Sequence, residues 1–548
     1  ILDNGWENKE FIAARTEGFD ELRAKVKEYD LDRVEQLTGV GRDRIIEAAR
    51  LYSQADKAMI VYGLGVTEHR TGTENAMAIA NLALVCGHIG RPATGIMALR
   101  GQNNVQGASD LGPLPATLPG YQSVADAALR GKFEKAWGVT IQDKPGLKSV
   151  EMLDECRRGN FKGIFILGED PAHTDADAKH VQEALAAVDF LVVQDLFHTE
   201  TTLFADVILP ACTVFEKWDI GEWYNVGAGY VMHMYSMNNH RVISLQHKCI
   251  EPLGESKSDY EIFLSIMERL GLGAVYSEGG TTELDWCKRV FDSSDLSKHI
   301  TWRQFLKKGY FVVPPDPAPA RAPTANRWFY EGRKKDTPEP YPLPSDYVGG
   351  YLEGLQTPSG KFEFVAQTLK RIDDPDRPPL NRYMPTYEDP ARNPELADFP
   401  LKLLTAHTRY AFHVMGDDEG SSVNDIREHR IFKDGRYYLV ARISAQDAAA
   451  RGIRDADLIR LWNRRGSVVC AAQVTHRLQP GVVSTYAGSA QYAPVGEPGR
   501  STDLGGCVNM LCPSESITKK GHGIKPNTVL IQVEKWTGVD TWKPVEAA

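Results

Sequence analysis

KGIFILGEDP (162–171) and DFLVVQDLF (189–197) decide the reading of the fold. Each opens with an apolar run too short to be a buried helix and stops at a polar turn, GEDP or QD. Between them AKHVQEALAAV (178–188) spaces its apolar residues at three and four, as a helix does. Strand, turn, helix, strand is the unit of an open parallel sheet. Strands this continuously apolar are expected to be covered on both faces. ADVILPA (205–211) reads as a third strand. Upstream the pattern occurs once more: AMIVYG (58–63) breaks into GLG (63–65), and a helix runs from about Thr73 to Cys86. Ligands of such sheets bind at the carboxyl ends of the strands, which is where GLG, GEDP and QD stand.

Working outward, residues 7–54 read as helices, with Asp20, Asp30 and Gly41 near their ends. Nine prolines between Pro314 and Pro344 mark a linker or extended wrapping segment. From about Pro400 short β-rich runs follow between turns, among them RYYLVARIS, SVVCAAQVTHR and TVLIQVEKW, with one helix at AQDAAARG (445–452). The expected fold is α/β, Rossmann-like parallel sheets with flanking helices followed by a C-terminal β-barrel. The expected divisions are 1–165, an α/β dinucleotide-binding part carrying a substrate loop at 100–122; 166–312, a second such part; 313–399, the Pro-rich segment; and 400–548, the barrel.

The 548 residues can bury large cores. A net charge of −10 argues against nucleic acid as a main partner. The sequence contains no apolar run long enough to span a membrane. The eight cysteines are scattered without a CxxC pair, which points to reduced, mostly buried thiols and to no iron–sulfur or zinc site within the chain. No metal-ligand constellation is visible, so no metal-binding residue is expected within the chain. The chain starts ILDNGWENKEF, without Met, and reads as the later part of something longer.

Several stretches offer chemistry. GLGVT (63–67) can cradle a phosphate on backbone N–H groups, or its glycines serve the turn alone. GEDPAHTD (168–175) sets Glu169, Asp170 and Thr174 at a strand end, as acceptors for a guanine or ribose, or as helix caps. The same alternatives hold for Gln194 and Asp195. Asp259 in GESKSDYEIF reads as an N-cap. HTRYAFH (407–413) pairs Arg409 with His413 on a loop, suited to a phosphate or heterocycle, or else a surface arginine and a packed histidine. RGQNNVQGASDLG (100–112) is the least ordinary: a fixed planar cation beside Gln102, Asn103, Asn104 and Gln106, with glycines for close approach.

Taken in order, YGLGVT, NLALVCGHIGRPATGI, RGQNNVQGASDLG, LPGYQ, ILGEDP, VVQDLF and ADVILPA resemble the molybdopterin oxidoreductases of the DMSO reductase type, over essentially the whole chain. The first half is most similar to the catalytic subunit of formate dehydrogenases. The resemblance implies a molybdenum or tungsten ion held by two molybdopterin guanine dinucleotides, and two-electron oxidation of formate to CO2. It places Arg100 on the formate carboxylate and Gln102 at the pterin. It places Gly63 and Gly65 at one nucleotide. Gly168, Asp170, Thr174, Gln194 and Asp195 surround the other, with Asp259 on guanine. Thr408, Arg409 and His413 lie along the pterin, with Tyr486 and Asn509 near it. The later half, in ILPACTVFEKWDIGEW, GLQTPSGKFEF and RGSVVCAAQVT, is more similar to pyrogallol–phloroglucinol transhydroxylase, which implies an aromatic substrate with Tyr121 and Tyr230 as candidate contacts. A scaffold subunit that has lost the cofactor is the third expectation. The family's N-terminal part, with a 4Fe–4S cluster and the metal's protein ligand, is not in this sequence. It is expected as a partner on the same or another polypeptide, beside an electron-transfer iron–sulfur subunit and a small-molecule substrate, with no nucleic acid and no membrane span. A cytoplasmic site is favoured, a periplasmic one left open.

Overall fold

In a computed structural model the described residues are 1–89, 93–99, 105, 112–119, 122–219, 242–293, 295–312, 357–386, 388–389, 393–411, 414–417, 420–488, 491–514, 527 and 529–543. The chain forms two compact units. One comprises Ile1–Leu64, Glu74–Leu147 and Pro210–Arg382; the other comprises Gly65–Thr73, Lys148–Leu209 and Tyr383–Ala548. The architecture is mixed α/β with parallel strand pairs and a C-terminal β-barrel, as expected.

In the first unit, four helices open the chain: Lys9–Arg15, Phe19–Val26, Leu31–Thr38 and Arg42–Ser53. Asp30 caps the third, accepting from the Arg33 N–H at 2.8 Å. Strand Met59–Tyr62 pairs in parallel with Gly95–Ala98. Phe11, Leu22, Leu84, Val85 and Phe364 form one core. Phe364 comes from far along the chain because Phe362–Glu363 adds as a parallel strand to Thr16–Glu17. A buried Arg377–Glu74 ion pair fastens the same segment. A second core gathers Ile243, Leu245, Phe291, Leu296 and Phe305. Helix Asp259–Arg269 is capped by Ser258, whose Oγ accepts from the Glu261 N–H while Glu261 accepts from the Ser258 N–H. Asp259 is therefore the first helical residue and not the N-cap, a correction of the expectation: a serine that closes a capping box sits one position earlier.

In the second unit Ile164–Leu167 and Leu191–Asp195 pair in parallel, and Val207–Pro210 joins beyond the latter. Val181 and Leu185 of helix Ala178–Ala186 pack with Ile166, Leu191 and Val193. Cover on both faces is not complete among the described residues: Phe165 and Leu167 are 39% and 46% exposed, because Ile164–Leu167 is an edge strand whose alternate side chains turn away from that helix.

The barrel is a ring of six strands. Leu401–Ala406 pairs in parallel with Val482–Tyr486 and antiparallel with Val529–Lys535. Val529–Lys535 continues to Leu458–Trp462, then Ser467–Thr475, then Arg436–Ser444. Arg436–Ser444 closes the ring on Val482–Tyr486. Its interior is filled by residues such as Leu403, Leu439, Ile459, Val468 and Val483, all fully buried. All eight cysteines are free, seven of them buried and Cys249 exposed. Among the described residues no helix is long and apolar enough to cross a membrane.

Candidate functional site

Six of the sequence-derived site residues come together at the carboxyl ends of the second unit's parallel strands. After Ile164–Leu167 the chain turns at Gly168 with φ +62°, a left-handed conformation that glycine adopts at no steric cost. Its N–H donates to the Gln194 carbonyl at 2.9 Å, which ties the two strand ends. Asp170 follows, 6% exposed, before the single helical turn Pro171–Thr174. Its Oδ1 accepts from the Thr201 N–H at 2.9 Å and from the Thr201 hydroxyl at 2.6 Å. The Thr174 hydroxyl donates to the Asp170 carbonyl at 2.9 Å. At the neighbouring strand end the Asp195 carboxylate accepts from the N–H groups of Leu196 and Phe197 at 2.6 and 3.2 Å, an Asx turn. Asn509 reaches in from the segment after the barrel's fifth strand in sequence, donating to the carbonyls of His173 and Thr174, both at 2.9 Å.

This corner is acidic. Burial, with the Glu169 and Asp170 charges beside it, pushes the Asp175 carboxyl up to about 7. Burial likewise raises Glu169, Asp195 and Glu200, each with Asp170 as a repelling neighbour. Carboxylates raised in this way are stabilised by a partner that brings N–H donors.

On the barrel, Thr408 is buried and accepts from the Tyr410 N–H at 3.2 Å, and the Arg409 guanidinium stands 5.6 Å from the Tyr410 ring centre. Tyr486, at the end of the strand paired with Leu401–Ala406, is 3% exposed and its hydroxyl accepts from Arg442 at 2.9 Å. In the first unit Gly63 follows strand Met59–Tyr62, and Asp259 forms an ion pair with Lys217. Among the described residues, a Cβ added at Gly63, Gly65 or Gly168 meets nothing within 4 Å. Arg100, Gln102, Tyr121, Tyr230 and His413 lie outside the described residues.

Four residues escaped the sequence reading: Lys217, Thr201, His173 and Glu200. Lys217 holds Asp259 from 42 residues away. Thr201 orients Asp170 from 31 residues away. His173, Asp170 and Glu200 come close enough for one ligand atom of each to lie within 4.8 Å of the others, a grouping the expectation of no metal site did not contain. The only local signal for it was the Asp-x-x-His spacing of 170 and 173.

Comparisons with known proteins place the chain by family and by fold. Residues 5–269 match the family "Molybdopterin oxidoreductase", and residues 401–530 match "Molydopterin dinucleotide binding domain". The "Pyrogallol hydroxytransferase large subunit" of Pelobacter acidigallici is 46% identical over 357 residues, 64% of this chain and 40% of that protein. The "F420-dependent formate dehydrogenase 2 subunit alpha" of Methanococcus maripaludis is 33% identical over 489 residues, 88% of this chain and 61% of that protein. The chain thus spans between 40% and 61% of the length of these two curated relatives. Among solved structures, the acetylene hydratase from Pelobacter acetylenicus superposes with a TM-score of 0.65 at 18% identity, covering 98% of this chain and 69% of that one, which speaks for the fold alone.

Proposed function

The chain belongs to the molybdopterin oxidoreductase family and carries its dinucleotide-binding domain, and from that premise we propose that it serves a formate dehydrogenase-like catalytic subunit that oxidises formate to CO2. The observation that carries this reading is RGQNNVQGASDLG at 100–112, an arginine followed at once by uncharged hydrogen-bonding groups. The proposed cofactor is a bis-molybdopterin guanine dinucleotide with molybdenum or tungsten. Two observations fit it: glycines at strand ends where an added Cβ meets no described atom within 4 Å, and a buried acidic corner suited to the N–H edge of guanine.

When bound, the group supplies a two-electron redox centre. The chain's own residues do the rest. Arg100 binds the formate carboxylate through its planar fork and fixes its orientation. Its permanent charge also draws the anion into the site. Gln102 hydrogen-bonds the pterin. Gly63 and Gly65 receive one nucleotide; Gly168, Asp170, Thr174, Gln194 and Asp195 surround the other, with Asp259 and its Lys217 partner at guanine. Asp170 acts mainly through the turn it holds, since Thr201 occupies one of its oxygens. Thr408, Arg409, His413, Tyr486 and Asn509 line the pterin. The proposed partners are an iron–sulfur part carrying a 4Fe–4S cluster and an electron-transfer subunit.

A second reading, an aromatic hydroxylase or transhydroxylase on the same cofactor with Tyr121 and Tyr230 at the substrate, is favoured by the 46% identity to the pyrogallol enzyme. The two separate in one assay on the native assembly. The formate reading expects formate-dependent dye reduction, lost by at least about a hundredfold in Arg100→Ala with metal and pterin content unchanged. Turnover of polyphenols and none of formate, in a preparation that holds metal and pterin, sinks it in favour of the second.

A further inference from the structure

From His173 and its surroundings we infer that the second unit binds a divalent transition-metal cation, of which Zn2+ is the probe, through His173, Asp170 and Glu200. This goes beyond the proposed function and does not depend on which substrate the enzyme takes.

His173 is 1% exposed, yet among the described residues neither ring nitrogen has a hydrogen-bond partner. Buried imidazoles without partners are costly, because the polar nitrogens lose water and gain nothing. Its Nδ1 points between two carboxylates, 3.8 Å from Asp170 Oδ2 and 3.7 Å from Glu200 Oε2. These distances are too long for hydrogen bonds. They suit an ion set between the three atoms: ligands at about 2.1 Å in a tetrahedral shell stand about 3.4 Å apart. All three ligand atoms lie within 4.8 Å of one another, so binding needs the carboxylates to close on the ion.

The supports are those a metal ligand needs. Asp170 uses Oδ1 for Thr201, whose N–H and hydroxyl leave Oδ2 facing His173. The Asn509 amide holds the His173 backbone carbonyl at 2.9 Å, fixing the ring from its main chain. The charge also fits. Asp170 and Glu200 bring two carboxylates to one buried imidazole, and a dication offsets their mutual repulsion. One imidazole with two carboxylates suits Zn2+ and its neighbours in the transition series more than Mg2+ or Ca2+, which favour all-oxygen shells. The rival arrangement is an imidazolium held between the two carboxylates with no ion present.

The experiment is metal analysis of the purified native assembly after chelator dialysis and readdition of Zn2+, with molybdenum or tungsten and pterin counted alongside. One Zn2+ per chain is expected in the wild type, with affinity weakened at least about tenfold in Glu200→Gln and in His173→Leu. The wild type should also gain thermal stability on Zn2+ addition, and the variants should not. If His173→Leu fails to retain pterin, Glu200→Gln and the visible d–d bands of Co2+ in the wild type carry the test. A wild type that takes up no Zn2+ and shows no Co2+ bands, or variants that bind as the wild type does, overturns the site and leaves the imidazolium arrangement.

Discussion

Two buried histidines of the second unit face carboxylates, and they are finished differently. His429 and Asp417 are fully enclosed, and His429 Nε2 lies 2.9 Å from Asp417 Oδ2. The same oxygen accepts from Arg430 Nε and Nη2 at 3.2 and 2.9 Å, and Arg430 Nη1 donates to the Tyr437 carbonyl at 3.1 Å. The anion there has its cation and its donors within the chain. His173 is as deeply buried but stands off from two carboxylates without a hydrogen bond to either. Beyond burial, Glu200 feels His173 and the charges of Asp170 and Asp503. A low dielectric strengthens a complete network and penalises an incomplete one. The Asp417 carboxylate is therefore fully paired within the barrel, with only His429 Nδ1 left without a partner among the described residues, whereas His173 has none at either nitrogen.

The largest effect should come from breaking the buried Asp417–Arg430 pair. Arg430→Ala leaves Asp417 buried without its cation, and an expected loss of about 3–5 kcal/mol is read by urea unfolding of the second unit's transition. A loss below about 1 kcal/mol would show that water reaches Asp417 and would erase the contrast. Next comes the acidic corner. Asp175 sits at about 7 in the folded chain against an ordinary 3.8. Between those values the unfolded chain has released the proton and the folded chain keeps it, so stability falls as pH rises through this window. For the cofactor-free chain this group should cost roughly 3 kcal/mol between about pH 5 and pH 8, and Asp175→Asn should flatten that slope. Equal slopes in variant and wild type would mean that the corner is solvated. The smallest change is expected from Asn509→Ala, which removes the donors to the His173 and Thr174 carbonyls and should lower the melting transition by the equivalent of about 2 kcal/mol. No change there would mean that water replaces the amide and that the turn carrying His173 is held by its strand alone.

What was legible in the sequence was whatever short-range pattern can carry. The apolar runs at 164–167, 191–195 and 207–210 appear as strands, as do the six barrel strands, because each run has a strand's length and turn residues bound it. The closing pair of the barrel, Arg436–Ser444 against Val482–Tyr486, was not legible, since nothing local says which edges meet. Nor was the burial of Phe364, which depends on a parallel strand pair separated by hundreds of residues. At the site, the GEDP and QD turns were recognisable as the carboxyl ends of parallel strands, where the structure places them. Glu200 and Thr201 were not, because only the crossover between the two parallel strands brings a segment 30 residues on beside Asp170. The Asp259 cap was misplaced by one residue because aspartate and serine are both good caps, and only the reciprocal Glu261 contact chooses between them.

The order of pairing in the barrel has a consequence in time. Val529–Lys535 is wedged between Leu401–Ala406 and Leu458–Trp462, so the ring stays open until this stretch has left the ribosome. At about 5–20 residues per second, on the order of ten seconds separate the emergence of its first strand from that of its last. During that interval the nascent barrel exposes unpaired strand edges, the state from which non-native association starts. Any large ligand seated on the finished ring must enter after translation of this segment, so its insertion is a late event set by the chain's own strand order.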